Sequence, residues 1–202
     1  MIGVLIMPRW NNAAGPDPRM ALQLIDRLDL YQTIFADPTV DHEFVPETQV
    51  WHLAYDCAAE ILDESQTQLR TILVPDAEHK YLAWVLSAFV PFADAPVSKS
   101  LHKGGKMPLP IATTIAREGI KANNKVCDIL TAAIRNMDDF IGVKDKFIRS
   151  TKTTNSRVGE EDPHGRDTLG MAVRRWGQSW RSQALFAMMI EVSRSGEFKR
   201  GM

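Results

Sequence analysis

The sequence predicts an all-α protein, a multi-helix bundle, on three observations. Apolar residues recur at three- and four-residue steps along most of the chain, the period that lays one face of a helix against a core. Residue pairs that start and stop helices, Asp17-Pro18 and Asp37-Pro38 among them, stand at the ends of these runs. No segment of convincing length alternates apolar and polar residues as a half-buried strand would.

In chain order, Asp17 reads as an N-cap and Pro18 as the first helical residue, where its missing N–H is harmless. Met20, Leu24, Leu28, Tyr31 and Phe35 follow at near-helical spacing, and Asp37-Pro38 stops the run. A second helix fits 50–62, with Val50, Leu53, Ala54, Cys57, Ala58 and Ile61 on one face. A third begins near Asp76 and carries Tyr81, Trp84, Val85, Ala88 and Phe89 up to Pro91. Residues 94–110 break the pattern. There Pro96, Gly104, Gly105, Pro108 and Pro110 stand among Lys99, His102, Lys103 and Lys106, which reads as an exposed basic loop. Two helices are expected beyond it, over 111–120 and 124–137, the second with Val126, Ile129, Leu130, Ala133, Ile134 and Met137 in step. Residues 150–166 are polar and unpatterned, a loop by composition. Asp162-Pro163 then caps a helix through Leu169 and Val173 to Trp176, and a last helix spans 180–192 after Gly177.

Composition narrows the class. With 202 residues, 45% apolar and 24% charged, the chain is long enough for one domain or two small ones around a real core. Cys57 and Cys127 do not form a C-x-x-C pair, so a disulfide framework and a zinc site of the usual spacing are not expected. No stretch approaches the roughly 18–20 apolar residues that cross a bilayer. The opening apolar segment lacks the basic start and small-residue cleavage site of a secretory signal, and no Arg-rich presequence is visible. The net charge of −1 hides a division: residues 1–98 hold 5 Lys/Arg and 14 Asp/Glu, and residues 99–202 hold 19 and 11. Such a split suggests a polyanion partner for the second half, or simply two faces that differ in solvating charge.

Nucleotidyl transfer needs paired carboxylates that hold divalent ions against a triphosphate. Asp138-Asp139 is the nearest candidate, but neighbours on a helix point about 100° apart, and a solvated helix terminus is the better account. His52 and Asp56 stand four apart on a helix, and Asp41-His42 reverses an HD phosphohydrolase pair. The further ligands such a site requires are missing, so a helix-face hydrogen bond is the expectation. No P-loop, dinucleotide fingerprint or nucleophile elbow occurs. Lys103-Gly104-Gly105-Lys106 could bring backbone N–H groups to a phosphate or be an ordinary turn. Arg117, Lys121 and Lys125 follow a four-residue step, although Gly119 and Asn123-Asn124 interrupt it. Arg174, Arg175 and Arg181 flank Trp176 and Trp180, the pairing of guanidinium and aromatic face that phosphate contact plus stacking would use. At least one of these Trp residues is expected in the core. Trp176 shares a stripe with Leu169 and Val173, with Arg174 and Arg175 to its sides.

Three stretches carry a family resemblance: Gly-Pro-Asp-Pro-Arg-Met-Ala-Leu with Asp29-Leu30-Tyr31 and Ile34-Phe35, Ala116-Arg-Glu-Gly-Ile-Lys-Ala-Asn-Asn-Lys-Val-Cys-Asp128, and Arg166-Asp-Thr-Leu-Gly-Met-Ala-Val-Arg-Arg-Trp-Gly177. Over roughly 15–200 the chain resembles the neck, body and partial tail of a class II CCA-adding tRNA nucleotidyltransferase of the fungal type. The resemblance implies a tRNA-binding helical portion of an enzyme that adds CCA to tRNA 3′ ends from CTP and ATP. Its catalytic head motifs, the Gly-Gly-x-x-Arg-Asp turn, D-x-D and E-D-x-x-R, do not occur here. Leu5–Ala14 also departs from the family's neck pattern, so the chain reads as a fragment that does not incorporate CTP or ATP alone.

The resulting expectations are these. Residues 1–14 form an atypical segment, 15–95 neck and body helices, 96–110 the basic loop, and 111–202 RNA-facing body and partial tail. The candidate RNA contacts are Lys103, Lys106, Arg117, Lys121, Lys125, Arg174, Arg175 and Arg181, and no catalytic or metal residue is assigned. No cofactor is expected in this chain, with Mg²⁺ implied only for the complete enzyme. The partners are tRNA and the missing head, with no membrane, and the resemblance implies mitochondrial and nuclear or cytoplasmic location. A helical adaptor that binds protein through the acidic half is the alternative, and an HD-like hydrolase comes last.

Overall fold

The computed structural model describes residues 17–36, 44–65, 67–96, 108–152 and 166–196, and every regular element among them is helical. The all-α expectation is met. Helix α1 (Pro18–Arg27) starts where the sequence placed it, with the Asp17 carboxylate accepting from the Arg19 N–H at 3.0 Å. It does not continue to Phe35. Asp29 takes a left-handed φ of 51°, and a separate short helix α2 (Tyr31–Ile34) follows. The predicted stripe is therefore split: Tyr31 and Phe35 are buried, while Met20, Leu24 and Leu28 are more than half exposed. Leu22 and Ile25 face the core instead. The stop at Asp37-Pro38 lies outside the described residues.

Helix α3 (Trp51–Leu62) is buried on most of its circumference, through Trp51 and Tyr55 as well as Ala54, Cys57, Ala58 and Ile61. A short helix α4 (Thr67–Leu73), which the sequence reading missed, leads to α5 (Ala77–Phe89), which starts beside Asp76 as expected and is capped by its carboxylate. The end of α5 shows how aromatic residues complete a helix. Pro91 has no N–H, so the Ser87 carbonyl four residues back loses its helical donor. The Trp51 indole N–H donates to that carbonyl at 2.8 Å, and the Tyr31 hydroxyl donates to the next, Ala88, at 2.7 Å. A 3-10 turn (Val90–Phe92) then closes the segment. Tyr31, Phe35, Trp51, Phe89 and Phe92 pack edge-on or tilted around this point.

The second half differs most from expectation. Residues 111–120 form a single turn of α-helix, α6 (Ile111–Thr114), that widens into a π-helical turn (Ile115–Gly119). Lys121 then adopts a left-handed φ of 57°. Helix α7 runs Asn124–Lys152, 29 residues, well beyond the predicted end at Met137. Asp138 and Asp139 therefore sit inside a helix rather than at its terminus. Helix α8 (Arg166–Trp176) turns at Gly177, whose φ is 73°, into α9 (Trp180–Ser195). The suggested cap at Asp162-Pro163 lies outside the described residues.

One continuous core from Leu22 to Ile190 joins these helices except α8, which buries Ala172 and Trp176 beside it. Buried polar groups fix their register. Asn136 of α7 donates to the Gln183 side-chain oxygen at 2.8 Å, and the Gln183 amide nitrogen donates to the Trp176 carbonyl and the Ser179 hydroxyl, both at 2.8 Å. Gln183 is fully buried with both ends of its amide satisfied. Lys144 pairs with Glu191 further along the same two helices, so α7 and α9 run parallel. Cys57 and Cys127 are buried and unpaired, and burial pushes the Cys57 thiol up to about 12. Both thiols are expected to resist an aromatic disulfide reagent at pH 8 and to react together once denatured. Rapid labelling of the native chain would contradict this packing.

Candidate nucleic-acid interface

The predicted basic set is not one patch. Lys103 and Lys106 lie outside the described residues. Arg117 belongs to the π-helical turn, Lys121 to the left-handed residue after it, and Lys125 to the first turn of α7. The four-residue step thus does not place them on one helix face, because the chain changes direction between each pair. Lys121 reaches Glu118 at 3.4 Å, and Lys125 pairs with Glu78 of α5 at 2.5 Å. Both ammonium groups are mostly exposed, so these pairs contribute little to stability and are open to exchange.

Arg117 differs from its neighbours. It is only partly exposed, and its Nε is sealed from solvent without a hydrogen-bond acceptor. Its guanidinium lies beside the Cys127 thiol, which burial raises above its ordinary range and the nearby cation lowers. The adjoining Gly119 explains why the turn is built as it is. A Cβ there would stand 2.4 Å from the Ala36 carbonyl oxygen, a distance that no side chain tolerates.

The second basic group surrounds the turn between α8 and α9. Arg174 is exposed. Arg175 is exposed too, but its guanidinium forks onto Asp139 of α7, with Nε to Oδ2 at 3.0 Å and the terminal nitrogen to Oδ1 at 2.8 Å. Arg181 donates through Nε to the Ile72 carbonyl at 2.7 Å, and its guanidinium carbon stands 4.8 Å from the centre of the Trp180 ring. Trp176 is buried, stacked on Phe140 with centroids 3.6 Å apart, and its indole N–H donates to Asp139 at 2.6 Å. Trp176 is therefore the core member of the pair, as the sequence suggested. The stripe is different, however. Ala172 is buried, while Leu169 is 37% exposed, so α8 rests on the body through its last two turns.

The acidic pairs also find their places. Asp139 serves Arg175 and Trp176, which accounts for it without a metal. Asp56 accepts from Arg19 Nε at 3.1 Å and from its terminal nitrogen at 2.7 Å, and His52 is exposed, so the suggested His52–Asp56 hydrogen bond is replaced by a link between α1 and α3. Asp41-His42 lies outside the described residues. No group of three or more His, Cys, Asp or Glu able to hold a metal occurs among the described residues, and no described helix is long and apolar enough to cross a membrane. Sequence reasoning missed a cavity of about 550 Å³ between α4 and the start of α5, where Arg70 and Lys80 face Glu64 and Asp76. The unrecognised α4 hid it.

No family model and no solved structure matches the chain. Over 178 residues, 86% of its length, it is 33% identical to the protein named Nucleotidyltransferase lcsQ from Purpureocillium lilacinum. The chain has a nucleotidyltransferase-like relative, and it spans 28% of that relative's length.

Proposed function

We propose that this chain is a tRNA-binding helical part of a nucleotidyltransferase, one that in a complete enzyme of the CCA-adding kind presents the tRNA 3′ end for addition of C, C and A. The observation that favours this most is the turn between α8 and α9. Around Gly177, Arg174 is exposed, Arg175 is exposed in an exchangeable ion pair, and Arg181 lies over Trp180. That combination suits backbone phosphates and a stacked base or sugar rather than the reading of one sequence. The named activity of the fungal relative agrees with it in class.

The test is a tRNA titration at several salt concentrations. Affinity should fall steeply with salt, since each neutralised phosphate releases counterions. Arg174→Ala and Arg181→Ala should each lower the salt slope by about one unit, and Lys103→Ala with Lys106→Ala by about two. A chain that binds no tRNA, or binds with a flat salt response, contradicts the proposal and favours the protein-adaptor reading.

A further inference from the structure

Among the described residues Arg117 has no carboxylate partner and its Nε has no acceptor, and we infer from this that the turn from Ile115 to Lys121 is a binding site for a phosphate group. Among the described residues no carboxylate lies within 4.0 Å of its guanidinium. Glu118, the next residue, turns to Lys121 instead, and Asp128, one residue beyond Cys127, is exposed on α7. The neighbour that does touch it, the Cys127 thiol, is neutral and directs its proton to the Ala122 carbonyl at 3.8 Å. Withdrawing a cation partly from water without a counter-charge is unfavourable, and an arginine so placed is ordinarily paired.

The site is shaped for an anion from outside. The Arg117 side chain is partly open to solvent although its Nε is sealed, so an incoming group meets the guanidinium's outer edge. A planar fork of donors fits phosphate oxygens in pairs. Lys121 is 74% exposed and its ammonium lies 3.4 Å from Glu118, the residue next to Arg117, in an open pair that an incoming anion can displace. The π-helical turn and the Gly119 approach to the Ala36 carbonyl fix the backbone that carries both cations. Phosphate on an RNA backbone and free phosphate share this chemistry. The inference deepens the tRNA reading at one residue and rests on it only for the source of the phosphate.

The experiment follows the Arg117 Nε–Hε signal of the ¹⁵N-labelled chain by NMR. Three titrations are compared: inorganic phosphate and tRNA, and sodium chloride over the same range of ionic strength as the screening control. A saturable shift with phosphate or with tRNA, absent with chloride, is expected. In Arg117→Lys, a variant that retains the charge but not the fork, the phosphate-dependent shifts of the backbone amides from Ile115 to Lys121 should weaken by several-fold. Lys121→Ala should weaken the apparent affinity by several-fold without moving the rest of the spectrum, which keeps the inference testable if Arg117→Lys does not fold. A shift with phosphate but no tRNA binding upholds the site and removes the tRNA reading. Binding of tRNA elsewhere, with Arg117 unmoved by either ligand, removes the site and leaves the tRNA reading intact. Equal shifts with all three solutes would mean screening alone and overturn the inference.

Discussion

Replacing Trp176 by Ala is expected to lower stability by about 3–5 kcal/mol, the usual cost of emptying a buried large aromatic site. For a chain of this size that corresponds to a fall of roughly 6–20 °C in the melting midpoint. The side chain is 8% exposed, lies flat on Phe140 and donates to Asp139, so its loss opens a void and removes a hydrogen bond together. The paired change of Arg174→Ala and Arg175→Ala is expected to cost no more than about 1 kcal/mol, because the Arg175–Asp139 pair is 58% and 41% exposed. Its effect should appear in tRNA affinity instead. A thermal melt and a tRNA titration on each variant separate the two roles. If Trp176→Ala leaves the melt unchanged and abolishes binding, the ring is a stacking platform and the assignment reverses.

Gly119→Ala is expected to destabilise by about 3 kcal/mol, the upper end for forcing extra volume into a packed site. The obstruction is the Ala36 carbonyl, backbone that cannot swing aside, so either α2 or the π-helical turn has to shift. Gly170→Ala supplies the comparison. Gly170 lies within α8 with nothing within 4 Å of its would-be Cβ, so the same chemical change there should stabilise by about 0.5–1 kcal/mol through helix propensity. Denaturant midpoints of opposite sign are the expected result, and a neutral Gly119→Ala would mean that the close approach is not maintained in solution.

How much of this was legible beforehand depended on how local the cause was. The cap at Asp17, the start of a helix near Asp76 and the end of α5 near Pro91 follow from side chains and backbone within a few residues, and the sequence showed them. The break after α1 did not show, because the apolar step from Met20 through Leu28 to Tyr31 continues across it while Asp29 changes the backbone. The extension of α7 was hidden for a different reason. Asp138-Asp139 looked like a solvated end, but the partner that makes Asp139 suitable within a helix is Arg175, on another element. Arg117 is the sharpest case. Composition assigns an arginine to the surface, and only the π-helical turn carries its Nε inward. The sequence singled out the basic residues one by one, whereas their grouping required the fold.

The shared direction of α5, α7 and α9 has an electrostatic consequence. Arg181 at the start of α9 meets Ile72 just before α5, and Arg194 near its end meets Asp94 just after α5, so these two helices run together as α7 and α9 do. Neighbouring peptide dipoles cancel between antiparallel helices, as between α3 and α5, where Trp51 at one start meets Ser87 near the other end, but along α5, α7 and α9 they add. The 29-residue α7 contributes the longest column of aligned peptides. These three helices therefore share one positive end, at the starts of α5 and α7, where Lys125 and Glu78 meet, and one negative end at their far ends. Outside the surface that field persists for only about 8–10 Å at physiological salt, so the polarity orients what is already close.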